Sequence, residues 1–478
     1  MKPSTFGKGR SFMRTSSLLG HLLELYHLIL TEADSPRFLI DQFYRRRRYL
    51  GSRDRAWLSA RIWPLVRNRL RWQALAEIAA AETGRPLPAH AALRDLALAL
   101  QTPHTLPSCE PPLTLDMLHE VVEKTNLTSP DLEWAETLVA WSAARSAELI
   151  TRLPDPAGLT EPACRLAFGW PCWLTRSLAE TGRSLLAELP TAQWMHLQTR
   201  AFMQEPPVGL RVNTLKTTRL RARHCLAEEG LQTQESDLSP EALRAPHRRN
   251  LHQVPAWTEG WIEVQDEGSQ MVAAAVGARP GWRVLDPCTG AGGKALHLAA
   301  LMSNDGQIYA TDAHPHRARE FPGRIARAGA EAVQWCSPAQ AAQCRDLDAV
   351  LIDAPCSGTG MLRRRPELCW QLKPEAATRY NRLQQQLLAQ YGRLLRPGGI
   401  LVYATCSFLP EENDRLVERF LETSSRFEPE DPRQTWRQWH GGTLPASLAM
   451  GRTARGFQLL PGLHGCDGFY IARLRRTS

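Results

Sequence analysis

Two cysteines stand in segments that suit covalent chemistry. Cys356 lies in Asp353-Ala-Pro-Cys-Ser-Gly-Thr-Gly360, and Cys406 lies in Tyr403-Ala-Thr-Cys-Ser407. Each follows a short apolar run of the kind that forms a buried parallel strand. Upstream, Val284-Leu-Asp-Pro-Cys-Thr-Gly-Ala-Gly-Gly-Lys294 reads as a strand running into a glycine-rich turn. A thiol is a strong nucleophile once ionised, and a nearby cation or helix N-terminus favours that state. Taken singly, either cysteine reads as a small buried residue. As a pair at strand ends, with Asp353 beside them, they point to covalent chemistry on a ligand held at a sheet edge. Gly290, Gly292 and Gly293 let the backbone approach that ligand and expose helix N-terminal amides. Their spacing is neither G-x-G-x-x-G nor a Walker loop. Asp312 suits the diol of a ribose, or alternatively the cap of the next helix.

The elements that must position these groups alternate strand and helix from Trp257 onward. Strands are expected over Trp282–Asp286, Gln307–Asp312, Ala332–Trp335, Ala349–Asp353 and Ile400–Thr405, with a long helix over Glu375–Leu395. This is the pattern of a doubly wound α/β sheet, in which ligands sit outside the carboxyl ends of the strands. Asp286, Asp312, Asp353, Cys356 and Cys406 all fall at those ends. Pro322 is expected to interrupt the helix after the second strand. Pro410-Glu411-Glu412 reads as the first turn of a helix after Cys406. Trp436 and Trp439 fall in a loop-like Arg/Trp-rich insertion.

From Ser16 to about Leu153 the periodicity is helical, with Leu18–Leu30 a buried amphipathic helix. Ser52 reads as the N-cap of a helix over Arg53–Trp63, and Ser129-Pro130 opens another. Thr102–Pro112 reads as a loop and Leu153–Gly158 as a linker. Leu210–Leu215 is expected as a strand in a mixed segment. The expected domains are therefore an all-α region over 1–155, a small α+β module over 160–255 and the α/β domain over 256–478.

The 478-residue chain has 43% apolar and 22% charged residues and a net charge of +9, which favours a polyanionic partner. Its basicity is almost wholly Arg, suited to bidentate phosphate contact, though coding bias produces the same excess. Eleven cysteines show no CxxC pair and no zinc spacing, so no metal is expected and free thiols in a reducing cytoplasm are. No apolar run reaches a membrane span of about 18 residues. Nothing implies more than a monomer.

Together these segments resemble the RNA 5-methylcytosine methyltransferases of the bacterial small-subunit rRNA methyltransferase B and nucleolar NOP2/NSUN type. The resemblance runs from about Leu210 to the C-terminus. It rests on Arg211-Val-Asn-Thr-Leu-Lys216, Val264-Gln-Asp-Glu-Gly-Ser-Gln270, the Gly-Gly-Lys294 loop and the Asp-Ala-Pro-Cys356 motif. It continues through Leu362-Arg-Arg-Arg-Pro-Glu-Leu-Cys-Trp370, Thr-Cys406-Ser with Glu412-Asn413, and His464-Gly-Cys-Asp-Gly-Phe469. More faintly, Phe43–Trp57 resembles the helical NusB-type RNA-binding domain.

The resemblance implies a Rossmann-like class I methyltransferase sheet with S-adenosylmethionine as cofactor. It implies that Cys406 attacks carbon 6 of a cytosine, that Cys356 helps remove the carbon-5 proton, that Asp353 binds the cytosine edge and that Lys294 braces both. The cofactor set it implies is Asp286, Cys288, Gly290, Gly292, Gly293, Lys294, Asp312, Arg317 and Asp353. Arg211 and Asn213 would face RNA, as would Arg45, Arg46, Arg47 and Arg48; the other readings are sheet-edge residues and a solvated helix face. The implied substrate is rRNA. A tRNA enzyme of the same family and a non-catalytic ribosome-assembly factor are the alternatives. A DNA cytosine methyltransferase would normally use the Pro-Cys thiol, which Thr-Cys406-Ser argues against. The segment Trp335-Cys-Ser-Pro-Ala339 lacks the acid the family places near adenine.

Overall fold

The computed structural model describes residues 13–477, apart from 88–89, 102–114, 124–128, 152–159, 186–189, 247–248, 315–318 and 320. The loop expected over Thr102–Pro112 and the linker expected over Leu153–Gly158 fall outside the described residues. The chain forms two compact units: Met1–Arg176 with Arg365–Gln371, and Ser177–Arg364 with Leu372–Ser478. No described helix is long and apolar enough to cross a membrane.

The first unit is helical in its described residues. Its Thr15–Thr31 helix turns Leu18, Leu19, Leu22, Leu25, Tyr26 and Ile29 inward, the spacing of one apolar stripe. The helix expected from Arg53 instead starts at Ser52, with Gly51 as its N-cap. Asp54 decides this, because its Oδ2 accepts from the Gly51 amide at 2.8 Å. The unit continues past residue 155 because Arg71 ties down the Glu161–Phe168 helix. Its guanidinium donates to the carbonyls of Leu166 at 2.9 Å and Ala167 at 3.1 Å.

The second unit holds an eight-stranded sheet. Its order is Phe427–Glu430, Phe469–Arg476, Leu395–Thr405, Leu347–Asp353, Trp282–Asp286, Gly306–Ala310 and Val333–Trp335, with Phe457–Leu459 paired to Phe469–Arg476. The last five strands of that order are mutually parallel, and Phe469–Arg476 runs antiparallel beside them. Alternate residues feed opposite apolar layers: Ala349 and Leu351 face one, Val350 and Ile352 the other. The chain winds outward from Trp282–Asp286, then crosses back to Leu347–Asp353. This is the Rossmann-like class I methyltransferase fold that the resemblance implied. The direction of winding reverses between Asp286 and Asp353, which is where such sheets open a ligand crevice.

Several local expectations are corrected. The second strand stops at Ala310, leaving Asp312 in the following loop. The fifth begins at Leu395, since Arg396-Pro-Gly-Gly399 carries the strand across a register irregularity opposite Leu347–Ala349, with Gly398 at φ +78°. The preceding helix accordingly ends at Gly392. Pro322 does not interrupt the Phe321–Ala328 helix but sits in its first turn, where only an orphan donor is lost. The helix after Cys406 starts at Asp414, not in Pro410-Glu411-Glu412. Trp436 and Trp439 lie on a helix, Arg433–Trp439, rather than in a loop. The strand expected over Leu210–Leu215 ends at Val212 and belongs to a four-stranded antiparallel sheet ordered Gln234–Glu235, Ala242–Ala245, Val208–Val212 and Ile262–Val264.

Trp436 is fully buried and donates from Nε1 to the Met271 carbonyl at 3.0 Å. Trp436→Ala should lower stability by about 3–5 kcal/mol, the usual cost of emptying such a site. Urea unfolding measures this, and an unshifted midpoint would show that the insertion is not part of the core.

Candidate active site

The turn after Trp282–Asp286 is built for close approach. Gly292 has φ +88°, and a Cβ there would lie 1.8 Å from Phe321 Cε2, so no side chain fits. A Cβ at Gly290 would meet nothing within 4 Å, which leaves that backbone open. The Gly290 amide donates to Asp312 Oδ2 at 2.9 Å, and the His314 amide donates to Asp312 Oδ1 at 2.8 Å. Asp312 therefore closes the loop through an Asx-type turn rather than capping a helix. Asp286 is buried, and its Oδ1 accepts from the Cys288 amide at 3.3 Å. Its Oδ2 and the Thr311 hydroxyl, both buried, have no hydrogen-bond partner. Burial pushes the Asp286 carboxyl up to about 7 against the pull of Lys294, with Asp353 adding to the rise. Arg317 lies outside the described residues. After the third strand Cys336 is buried, and Ser337 caps the short Pro338–Ala341 helix instead of presenting an acid.

The two thiols meet one strand further along. Asp353 pairs in register with Ala404, so the loops that carry Cys356 and Cys406 leave adjacent strands side by side. Their sulfurs are 3.3 Å apart. Backbone bonds hold the loops together: Ala354 N to Ala404 O at 2.8 Å, and Gly360 N to Cys406 O at 2.9 Å. Gly468 N then donates to Gly360 O at 2.9 Å. A Cβ on Gly360 would lie 2.1 Å from Gly468 O, so this crossing requires glycine. The Cys406 contact first, and burial second, push the Cys356 thiol well above the usual range. Lys294 Nζ donates to Asp353 Oδ2 at 2.6 Å. Burial alone would lower the Lys294 pKa, but the Asp353 carboxylate outweighs it and the net shift is upward. The site thus keeps a fixed ammonium beside two carboxyls and two thiols.

Sequence reasoning assigned no role to the group that clamps the first thiol loop. Glu412 is buried and accepts from the Ser357 amide at 2.9 Å, the Ser357 hydroxyl at 2.5 Å and Gln384 Nε2 at 3.3 Å. Its pKa is raised by burial, with the Ser357 donors opposing. Next to it, Asn413 accepts from the Thr405 hydroxyl at 2.7 Å and donates to the Ser407 carbonyl at 3.0 Å. The signal was an acid-amide pair soon after the second cysteine; its target was legible only in three dimensions. A further network braces the same edge. Arg363 Nε donates to Asp467 Oδ1 at 2.6 Å, Arg364 bonds the other Asp467 oxygen, and Arg364 reaches Asp266 Oδ2 at 2.9 Å. Burial, then the Asp266 charge, push Asp467 up to about 6 against both arginines.

The remaining expected residues lie elsewhere. Arg211 is 1% exposed, with Nε donating to Gln265 Oε1 at 2.7 Å. Asn213 is buried and donates to the carbonyls of Gly260 at 2.9 Å and Ala328 at 2.8 Å. Both side chains therefore brace the second unit from inside. In the helical unit, Arg45, Arg46 and Arg48 are exposed, while Arg47 pairs with Glu24 and lies 3.9 Å over the Phe43 ring. Among the described residues no His, Cys, Asp and Glu group is arranged to hold a metal.

Comparison with known families agrees with this geometry. Residues 273–475 match the family described as 16S rRNA methyltransferase RsmB/F, and residues 182–252 match the ferredoxin-like domain described as Methyltr_RsmF/B-like. The chain carries an RsmB/F-type methyltransferase domain and an RsmF/B-like ferredoxin-like domain. A probable ribosomal RNA small subunit methyltransferase B from Synechocystis sp. is 35% identical over 302 residues, which are 61% of this chain and 66% of that relative. The match to this RsmB/F relative thus spans slightly less than two thirds of its length. A solved structure described as PH0851 covers 98% of this chain and 100% of its own, with a TM-score of 0.70 at 22% identity. A methyltransferase homolog protein from Pyrococcus horikoshii is 26% identical, covering 65% of this chain and 97% of its own with a TM-score of 0.53.

The Asp286 carboxyl carries a pH signature. Its folded pKa is raised, to about 7, above the ordinary value of about 3.9 in an unfolded chain. The folded state therefore keeps a proton that the unfolded state has lost, and stability falls as pH rises from about 4 to about 7. Asp286→Asn removes that fall. Its stability relative to the unsubstituted protein should rise steadily between pH 4.5 and pH 7.5 in urea titrations; parallel curves would contradict the assigned burial.

Proposed function

We propose that this protein transfers a methyl group from S-adenosylmethionine to carbon 5 of a cytosine in RNA, through a covalent bond to Cys406. The observation that carries this reading is the Cys356–Cys406 pair, 3.3 Å apart beside the Lys294–Asp353 ion pair. Small-subunit ribosomal RNA is the substrate favoured by the likeness to relatives named for it. The cofactor fits the residues at the first turn. The unmatched Asp286 and Thr311 oxygens and the open backbone at Gly290 suit an amino acid and ribose, and Asp312 retains acceptor capacity for the diol. When bound, S-adenosylmethionine supplies an electrophilic methyl group.

The chain's own residues make the cytosine reactive. Carbon 5 is a poor nucleophile while the ring is aromatic. Addition of the Cys406 thiolate at carbon 6 pushes an electron pair onto carbon 5. Asp353, held by Lys294, accepts from the amino group of the base. After methylation carbon 5 carries one hydrogen that must leave. Cys356 takes that proton, the C–H pair re-forms the ring double bond, and the carbon–sulfur bond breaks with its electrons returning to Cys406. Cys356 suits this late role. Its proton is held mainly by the contact with Cys406; once Cys406 is a thioether that contact is lost, and Cys356 releases its proton to solvent and becomes the thiolate that accepts the carbon-5 hydrogen. The base must leave its stack to reach the pair.

The test is to express Cys356→Ala in cells and run a denaturing gel with and without ribonuclease. A slow, ribonuclease-sensitive band is expected, absent from Cys356→Ala/Cys406→Ala, and sequencing its RNA should return small-subunit rRNA. Cys406→Ala should abolish transfer, and Cys356→Ala should slow turnover by about 10²–10⁴-fold, the usual worth of a positioned base. A protein that binds RNA but forms no band would overturn the mechanism in favour of an assembly factor.

A further inference from the structure

The face of the sheet that carries the Glu375–Gly392 and Asp414–Thr423 helices has a groove of about 750 Å³ between them. Arg382, Arg393, Arg419, Arg426 and Arg476 line it, against one acid, Glu422. These arginines come from five separate places: the first helix, the turn after it, the second helix, the turn before Phe427 and the last strand. Helix periodicity alone could not have gathered them. Arg382, Arg393, Arg419 and Arg426 are exposed. Arg419 is oriented by Asn381, whose Oδ1 accepts from it at 2.7 Å. Gln385 and Gln386 add neutral donors and acceptors to the same wall.

The first helix spans from the thiol loops to the groove, whose far wall lies at the opposite strand ends: Arg476 donates to the carbonyls of Arg393, at 3.2 Å, and of Leu395, at the start of the strand that ends before Cys406. Asn381 Nδ2 donates to the Glu411 carbonyl at 2.6 Å, and Gln384 Nε2 donates to the Pro355 carbonyl at 2.9 Å. Both acceptors belong to the loops that carry the cysteines. Arg382 lies between these two residues in sequence, and Arg393 follows the helix's last turn.

We infer that this groove is an RNA-phosphate track that binds the substrate RNA at a distance from the target cytosine. Five cations against one anion match a polyanion rather than a protein or neutral ligand. Arg presents paired donors to phosphate oxygens, and the glutamines suit ribose 2′-hydroxyls. The inference rests on the reading of RNA as substrate.

The test uses the full chain with in vitro transcribed small-subunit rRNA, comparing it with Arg382→Gln/Arg393→Gln/Arg426→Gln and the matching triple Lys variant. Three lost phosphate contacts at about 0.7–0.9 each should reduce the slope of log affinity against log salt by about 2–3. Affinity at low salt should fall at least about tenfold, Lys should restore most of it, and transfer at saturating RNA should be unchanged. An unaltered slope in the Gln variant, with the unsubstituted protein still methylating this RNA, would eliminate the groove alone. An unsubstituted protein that neither binds nor methylates the RNA would remove the substrate reading and this proposal together.

Discussion

Everything at the candidate site depends on the backbone tie between the loops that leave the fourth and fifth parallel strands. Gly360 donates to the Cys406 carbonyl and accepts from Gly468, so three segments distant in sequence cross at one point. The absence of a side chain at both glycines is what permits the crossing. Two sulfurs held 3.3 Å apart are a consequence of that geometry and not of any attraction between thiols. Glu412 secures the arrangement from the far side by taking both donors of Ser357. A carboxyl is well suited to this, because it offers one oxygen to the buried amide and the other to the hydroxyl, which also meets Ser407.

Charge is arranged around the tie with similar economy. Among the described residues Lys294 is the single ammonium beside Asp286, Asp353 and the thiols, and the carboxylate of Asp353 keeps it protonated despite burial. Asp286 takes up a proton near neutral pH. Burial is the main cause of that raised pKa, and Lys294, which bonds Asp353, opposes it only from a distance. The Arg363, Arg364, Asp467 and Asp266 network serves a different end. Removing one partner from such a buried cluster leaves an uncompensated charge, so it specifies how the C-terminal segment meets the Cys356 loop more than it adds net stability.

Much of this was legible in the chain. Apolar runs ending in Asp286, Asp353 and Thr405 announce parallel strands, and a doubly wound sheet brings their carboxyl ends to one edge. The differences between pattern and structure are local and share a cause. Ser52 and Glu411–Glu412 carry helix-end preferences that tertiary partners override: Asp54 captures the Gly51 amide, and Ser357 captures Glu412. Trp436 and Trp439 read as a loop because their helix is short and its apolar face is matched to a distant partner, the carbonyl of Met271 for one and Glu241 for the other.

The sequence by itself determined the alternation of strands and helices, the residue types at the strand ends, and the likeness to a family that two cysteine motifs in a set order make specific. Those are properties of local pattern, carried by periodicity of two and 3.6 and by glycine at turns. Only the tertiary structure decided which groups touch. It put Arg211 and Asn213 inside, bound Glu412 to the Cys356 loop, gave the Lys294 hydrogen bond to Asp353 rather than to Asp286, and gathered five arginines from five elements along one groove. Contacts of that kind depend on register and packing angle between segments tens to hundreds of residues apart, and a linear pattern carries neither.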